Sequence, residues 1–287
     1  MMEAARFFTS RKVIRAPVLN ALGAQPMRVV FARAWLRARK ALMRRPDMLQ
    51  IARDVQQHGF GTINDFLPAA ELVALREQCG GAMAGPDPRA GLLQHGPTAR
   101  YGLNVDAAAD SVPLAQAFCS RPDLLDLLSY LEGKRIQPAL VNRVVERVIQ
   151  GDGPALDPET ELHSDTYYST HKIWLYLTDV TMDCAPMVFV PDSQRLDGRL
   201  LAGMYRHSRR CFTEGLAMSR RVPRSEVEER GLQEKIMVVP ANTLLVANTF
   251  GYHRRVRGIP GKDRLAIHMS VRSQPFLFWT SATPQAM

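Results

Sequence analysis

The sequence predicts a mainly β domain, a sandwich or barrel, with flanking helices. Three observations carry this. The last hundred residues hold short runs, Ile236–Val239, Thr243–Asn248, Arg254–Arg257 and Leu265–Val271, separated by Pro240-Ala241-Asn242, Gly251 and Gly258–Lys262. Short strands at that spacing, with turn residues between them, belong to sandwiches and barrels. Upstream, Lys172–Leu177 reads as a clear strand, and Ile136–Ile149 is rich in Val and Ile. The N-terminal third instead carries apolar residues at spacings of three and four, the period of helices.

The chain has 287 residues, 46% of them hydrophobic, enough for a sizeable core. Its four cysteines show no CxxC spacing, which fits a reduced, cytoplasmic compartment. No apolar run reaches the length of a membrane-spanning helix. Net charge is +9, and residues 1–50 account for all of it, with 11 Lys/Arg against 2 Asp/Glu. The remaining 237 residues are neutral, so a nucleic-acid partner loses its support.

In chain order, residues 1–45 form a basic arm and an amphipathic helix, and residues 46–287 a single domain. Residues 1–26 have no sustained period. From Met27, the residues Val30, Phe31, Ala34, Trp35, Ala38 and Leu42 recur at helical spacing, with Arg28, Arg33, Arg37, Lys40 and Arg44 between them. Three readings stay open: a helix packed on the protein's own surface, a peripheral contact of residues 27–45 with an anionic membrane at its inner face, or a cleaved targeting segment. Residues 48–58 read as a short helix stopped by Gly59, Gly59–Ile63 as a strand, Asn64–Pro68 as a turn and Ala69–Cys79 as a helix.

Residues 80–110, rich in Gly, Pro and Ala, read as a long loop or flap that carries His95 and Tyr101. Leu114–Phe118 and Asp123–Leu131 are helical. Within Ile136–Ile149, one of Asn142, Arg143, Glu146 and Arg147 is expected to face a bound cofactor, since a polar residue inside a buried strand needs a partner. Met187–Val190 is a further short strand. An arginine-dense insertion spans about 191–234, with helical pieces near 198–206 and 225–231. It is either a salt-bridged surface pair or a lid that grips an anionic small-molecule substrate. Phe276–Trp279 is expected to pack in the core or at an edge.

The chemistry concentrates in Leu162-His163-Ser164-Asp165-Thr166. Side chains at i and i+2 of a strand point the same way, so His163 and Asp165 address one point in space. If His253 reaches that point, two histidines and a carboxylate meet on one side of a metal, the usual ligand set of non-haem Fe(II) oxygenases. Tyr167 and Tyr168 are close enough to wall the site. Lys172, Trp174 and Tyr176 share one face of their strand. The turn Gly258–Gly261 is expected to set His253 and Arg264 on neighbouring antiparallel strands. The competing reading makes His163 and His253 core histidines and Arg264 a surface charge. His268 is the best candidate for a donor behind the ligands.

These residues resemble the phytanoyl-CoA dioxygenase family. The resemblance rests on His163-x-Asp165, the strand Lys172–Val180, the segment Phe189–Gln194, the closing His253 with Arg264 eleven residues on, and the entry Gly59-Phe60 with Asp65–Pro68. It covers roughly residues 48–276. It implies a double-stranded β-helix (jelly-roll) core with flanking helices and an Fe(II)- and 2-oxoglutarate-dependent dioxygenase that uses O2. By that resemblance His163, Asp165 and His253 hold the iron, Arg264 takes the distal carboxylate of 2-oxoglutarate, and Trp174 lies in the wall near the cosubstrate. Lys172, on the same side of the strand, joins the cofactor-binding candidates. The expected reaction is hydroxylation of an unactivated C–H bond with release of succinate and CO2. Asp165 argues against a halogenase. Epimerisation, cyclisation or desaturation by the same centre, and a non-catalytic scaffold tethered at a membrane, are the alternatives. Two departures stand out: the family's usual Pro-Gly-Ser-His is here Pro191-Asp192-Ser193-Gln194, and its usual Asn-Gly is Cys184-Ala185.

Overall fold

The computed structural model describes residues 12–14, 16–84, 89–213, 219–271 and 275–276. The first eleven residues of the arm and Leu277–Trp279 lie outside the described residues. In order, the elements are α1 (Pro17–Ala21), α2 (Ala24–Ala41), α3 (Leu49–His58), β1 (Phe60–Ile63), α4 (Ala69–Ala82), β2 (Ala90–His95), β3 (Thr98–Asn104), α5 (Pro113–Cys119) and α6 (Pro122–Glu132). Then follow β4 (Val141–Gln150), β5 (His163–Ser164), β6 (His171–Tyr176), β7 (Met187–Phe189), α7 (Gly198–Thr213), β8 (Arg220–Arg221), α8 (Arg224–Glu229), β9 (Lys235–Ile236), β10 (Thr243–Asn248), β11 (His253–Arg255) and β12 (Asp263–Val271).

The strands form two antiparallel sheets. The large one runs β1-β10-β6-β12-β4-β3-β2 and the small one β8-β5-β11-β7-β9. Strand periodicity sorts the side chains of β6. Ile173 and Leu175 point outward into the main core, against Ile51, Val55, Leu75, Phe118 and Leu128 of helices α3–α6. Trp174 and Tyr176 point inward and meet Met187 and Phe189 of the small sheet, so the two sheets face each other across a filled interior. A third cluster backs the small sheet, where Val29 and Ala32 of α2 pack with Leu162, Tyr167, Val190, Leu200, Met204, Phe250 and Tyr252, and Phe276 rests against it.

Gly59 ends α3 with φ +86°, and a Cβ there would come within 2.8 Å of the Phe189 ring. Both facts demand glycine. The two departures from the family pattern keep a glycine-like backbone. Asp192 has φ +66° and Ala185 φ +53°, so non-glycine residues stand in the left-handed region at both places. The Asp192 turn is tied to the end of α3. The Asp192 amide donates to the His58 carbonyl, and Gln194 Nε2 to the Gln57 carbonyl, at 3.1 Å each.

Four expectations change. The stretch 80–110 is no long loop, because Ala90–His95 and Thr98–Asn104 pair as a hairpin that extends the large sheet. The outer strand of that hairpin leaves Leu92 and Leu93 exposed, so no alternation marks it in the sequence. Helix α2 packs on the protein through Val29, Ala32 and Leu36, not through the stripe from Met27 to Leu42, most of which faces outward. His253 and Arg264 do not sit on neighbouring strands: β11 belongs to the small sheet and β12 to the large one, and the intervening turn carries the chain from one to the other. In the insertion, α7 reaches Thr213. Arg220 is buried with Glu226 and Tyr252, and Arg230 holds Asp197 at 2.7 Å and the Ser193 carbonyl at 3.0 Å. Arg220 fastens the insertion to the barrel at Tyr252, and Arg230 ties the two ends of the insertion together.

Candidate metal centre

In the small sheet His163 of β5 is paired directly opposite His253 of β11, with ring centroids 4.4 Å apart. Such short strands need help to hold register. Ser164 Oγ donates to the Phe250 carbonyl at 2.8 Å, and the Asp165 amide donates to the Thr249 carbonyl at 3.0 Å. Ser193 Oγ accepts from the Tyr252 amide at 2.7 Å and donates to the Val190 carbonyl at 2.6 Å. Both segments that carry the candidate ligands are thereby stitched next to those residues.

The two imidazoles are oriented alike. His163 Nδ1 lies 2.8 Å from the Glu161 carbonyl, and His253 Nδ1 lies 3.0 Å from the Gly251 carbonyl. A carbonyl only accepts, so each Nδ1 carries the proton and each Nε2 presents a lone pair to the centre. Asp165 Oδ1 stands 3.8 Å from His163 Nε2 and 3.7 Å from His253 Nε2. Those separations are too long for hydrogen bonds. They leave the three donor atoms turned toward one point, with room for an ion between them. His163, Asp165 and His253 form the one group of three metal-binding side chains among the described residues, with ligand atoms all within 4.8 Å of one another.

Electrostatics support the same use. Burial pushes His253 down to about 4, so its imidazole is neutral. Burial alone would raise the Asp165 carboxyl, but Lys172, His253 and His163 outweigh it and hold it well below the carboxylate range. Lys172 Nζ lies 2.8 Å from Asp165 Oδ2. It occupies the outer oxygen and leaves Oδ1 turned to the histidines. Two imidazole nitrogens and one carboxylate fit a divalent transition metal with open positions.

The large sheet supplies the opposite wall. His268 of β12 is paired with Trp174 of β6, and their rings stack at 5.1 Å with planes 20° apart. Arg264 is buried, and its Nε has no hydrogen-bond partner among the described residues. Its Nη1 stands 3.9 Å from Glu146 Oε1 of β4. Arg100 of β3 donates to Glu146 Oε2 from Nε at 2.6 Å. Burial would raise the Glu146 carboxyl, yet Arg100, His268 and Arg264 together bring it down to about 2. Two guanidiniums and one carboxylate leave a positive excess inside the barrel. An incompletely bonded, buried guanidinium is the group a remote carboxylate of a bound acid would satisfy.

Of the polar residues of β4, Glu146 points inward, whereas Arg143 turns out to Asp106 and Ser120 and Arg147 to Asp263. Tyr167 is buried under the Arg28 guanidinium, 3.5 Å from its ring centre, and packs in the core behind the small sheet. Tyr101 packs against the main core. His171 is held by Glu132 at 2.8 Å and lies in the packing of α6 on β6. Sequence reasoning missed Arg100 and Glu159. The Glu159 carboxylate comes within 3.5 Å of His163 Nε2 from the loop before β5. Their only sequence signal is an acid four residues before a ligand and an arginine inside an unrecognised strand.

Residues 55–241 match the family described as phytanoyl-CoA dioxygenase (PhyH). The match contains His163 and Asp165 and ends before His253 and Arg264. No curated protein matches the chain. Among solved structures, the non-heme alpha ketoglutarate dependent epimerase SnoN from nogalamycin biosynthesis is 15% identical over 83% of this chain and 92% of its own, with a TM-score of 0.54. Its complex with Fe3+, alpha ketoglutarate and nogalamycin RO gives 14%, the same coverage and 0.55. EctD from S. alaskensis, with 2-oxoglutarate and 5-hydroxyectoine, is 13% identical over 77% of this chain and 74% of its own, with a TM-score of 0.48. At such identities the SnoN likeness is one of fold, and that fold is the jelly roll.

Proposed function

This chain belongs to the phytanoyl-CoA dioxygenase family, and on that premise we propose that it is an Fe(II)- and 2-oxoglutarate-dependent dioxygenase that hydroxylates an unactivated C–H bond of a small substrate. The observation that carries the reading is the convergence of His163, Asp165 and His253 within 4.8 Å, opposite a buried Arg264 whose Nε lacks a partner among the described residues. Iron with 2-oxoglutarate supplies oxidation of a C–H bond by O2, while the cosubstrate leaves as succinate and CO2.

The chain's residues divide the work. His163 and His253 offer Nε2, held in that tautomer by the Glu161 and Gly251 carbonyls. Asp165 offers one oxygen and balances one unit of the metal's charge. Lys172 ties down the other oxygen and so would favour a single metal bond from the carboxylate. Arg264, buried and with its Nε unpartnered among the described residues, would pair with the distal carboxylate of 2-oxoglutarate through its planar fork. The Trp174–His268 stack walls that pocket. Glu146 and Arg100 set the orientation of Arg264 from behind.

A second reading keeps the site and changes the outcome. SnoN, which shares the fold, is an alpha ketoglutarate dependent epimerase. Product analysis separates epimerisation, cyclisation or desaturation from hydroxylation, since only hydroxylation leaves an O2-derived oxygen in the product. The test of the common premise is succinate formation from 2-oxoglutarate by purified protein under air. The reading expects turnover that requires Fe(II), and succinate formed in no condition would overturn it.

A further inference from the structure

Helix α2 is apolar on two opposite sides, and the barrel uses only one of them. Its inner side buries Val29, Ala32 and Leu36. The inner cations are engaged there too: Arg33 Nη1 donates to Ser169 Oγ at 2.9 Å and Nη2 to the Gln194 carbonyl, and Arg39 donates to the Glu132 carbonyl at 3.3 Å. The outer side is exposed. Met27 is 54% accessible, Phe31 58% and Leu42 88%, with Val30, Ala34 and Ala38 between them. At 3.6 residues per turn these six lie within about 60° of one line along the helix. Helix α1 packs beside α2 and adds Val18, Leu19 and Leu22, at 72%, 43% and 74%. A concentration of exposed apolar side chains on one face marks an interaction site.

Charge selects the partner. Residues 1–50 hold 11 Lys/Arg against 2 Asp/Glu. Arg37, Arg44 and Arg45 are exposed on and after α2, and Arg206 and Arg209 on the adjoining α7. A second copy of the chain would set one basic rim against another. An anionic bilayer takes up the apolar stripe and neutralises the rim together. We propose that the outward face of α1 and α2 docks this protein on an anionic lipid surface, with Leu22, Met27, Phe31 and Leu42 inserted and Arg37, Arg44 and Arg45 at the headgroups. The opposite side of α2 touches Tyr167 and Ser169, just after Asp165. Docking therefore sets the metal-bearing loop about one helix diameter, about 10–12 Å, from the lipid.

The test is co-sedimentation of the full chain with phosphatidylcholine vesicles and with vesicles that also contain phosphatidylglycerol. Binding to the anionic vesicles alone, weakening as salt is raised, is expected. The pair Phe31→Ser and Leu42→Ser removes two inserted side chains and should weaken that binding by about tenfold or more. Arg37→Glu with Arg44→Glu should abolish the preference for anionic lipid. All four side chains face solvent, so thermal melts and succinate formation of the variants should equal those of the parent. Two results would overturn the proposal: equal or absent binding to both vesicle types, or a dimer in sedimentation equilibrium that Phe31→Ser dissolves while vesicle binding stays nil.

Discussion

The two sheets of the barrel differ in how they hold the site. The large sheet has strands of up to ten residues in continuous ladders, and it carries Arg264, Glu146, Trp174 and Lys172. The small sheet is made of strands of two and three residues, and it carries His163 and His253. The inner strands of the first are held by long backbone ladders. The second has a few backbone pairs and adds side chains to them: Ser164 and Ser193 on backbone partners, and Arg220 with Glu226 and Tyr252 behind. On the proposed reading, the difference teaches that the anion pocket would be preformed by the ladders of the large sheet, whereas the metal half would depend on a local polar network. A metal held by His163 and His253 would add a cross-link between β5 and β11, where the ladder is shortest.

Substitutions can pull the halves apart. The largest effect is expected from His163→Ala or Asp165→Ala. Either should leave no measurable Fe(II) binding or succinate formation while the thermal melt of the metal-free protein stays near that of the parent. Glu146→Gln strikes the large sheet. It leaves the buried Arg264 and the half-buried Arg100 without their counter-charge and should cost about 3 kcal/mol of stability in denaturant titrations near neutral pH. The pH dependence follows from its sign. Glu146 titrates at about 2 when folded, below the ordinary 4.5. Its contribution is therefore complete above the ordinary value and is lost as pH falls from 4.5 toward 2. The stability gap between parent and Glu146→Gln should close over that acid window and stay constant above it.

Arg264→Leu should weaken 2-oxoglutarate by about 30-fold or more, the loss of a buried charged pair of about 2–5 kcal/mol, and leave Fe(II) affinity unchanged. Lys172→Met tests the tie between the sheets. Fe(II) affinity should fall by about 10–100-fold, as for other groups that hold a metal ligand, with a smaller change for 2-oxoglutarate. The smallest effect belongs to neither half. Ala185→Gly relieves a left-handed backbone and should stabilise the chain by about 1 kcal/mol in thermal melts.

Much of this arrangement was legible before any coordinates. The spacing of His163 and Asp165 is a strand property, and a strand fixes which side chains converge. Alternation in Lys172–Leu177 put Lys172, Trp174 and Tyr176 on one face, and the structure has that face inward, but the strand is buried on both faces by different cores, so alternation alone did not say which was inside. The sheet membership of His253 and Arg264 was not legible, since a short turn can equally close a hairpin or cross from one sheet to the other. The hairpin Ala90–Asn104 was hidden because its edge strand buries little, so no pattern of burial shaped its sequence. Helix α2 misled for a different reason. Its outward stripe is the more conspicuous apolar face, while its packed face includes Gln25 and Arg28, which read as surface. Glu146 was among four polar residues of its strand, one of which was expected to face inward, and only the cross-strand register singles it out and brings Arg100 to it.

The division of labour between the sheets is tested most directly by calorimetry in the absence of O2, with Fe(II) titrated first and 2-oxoglutarate second. The parent should bind one Fe(II) and then one 2-oxoglutarate, the second binding greatly strengthened by the first. His163→Ala should lose the first, and Arg264→Leu should keep the first and lose most of the second. Equal Fe(II) binding by His163→Ala and the parent, or 2-oxoglutarate binding untouched by Arg264→Leu, would contradict the account.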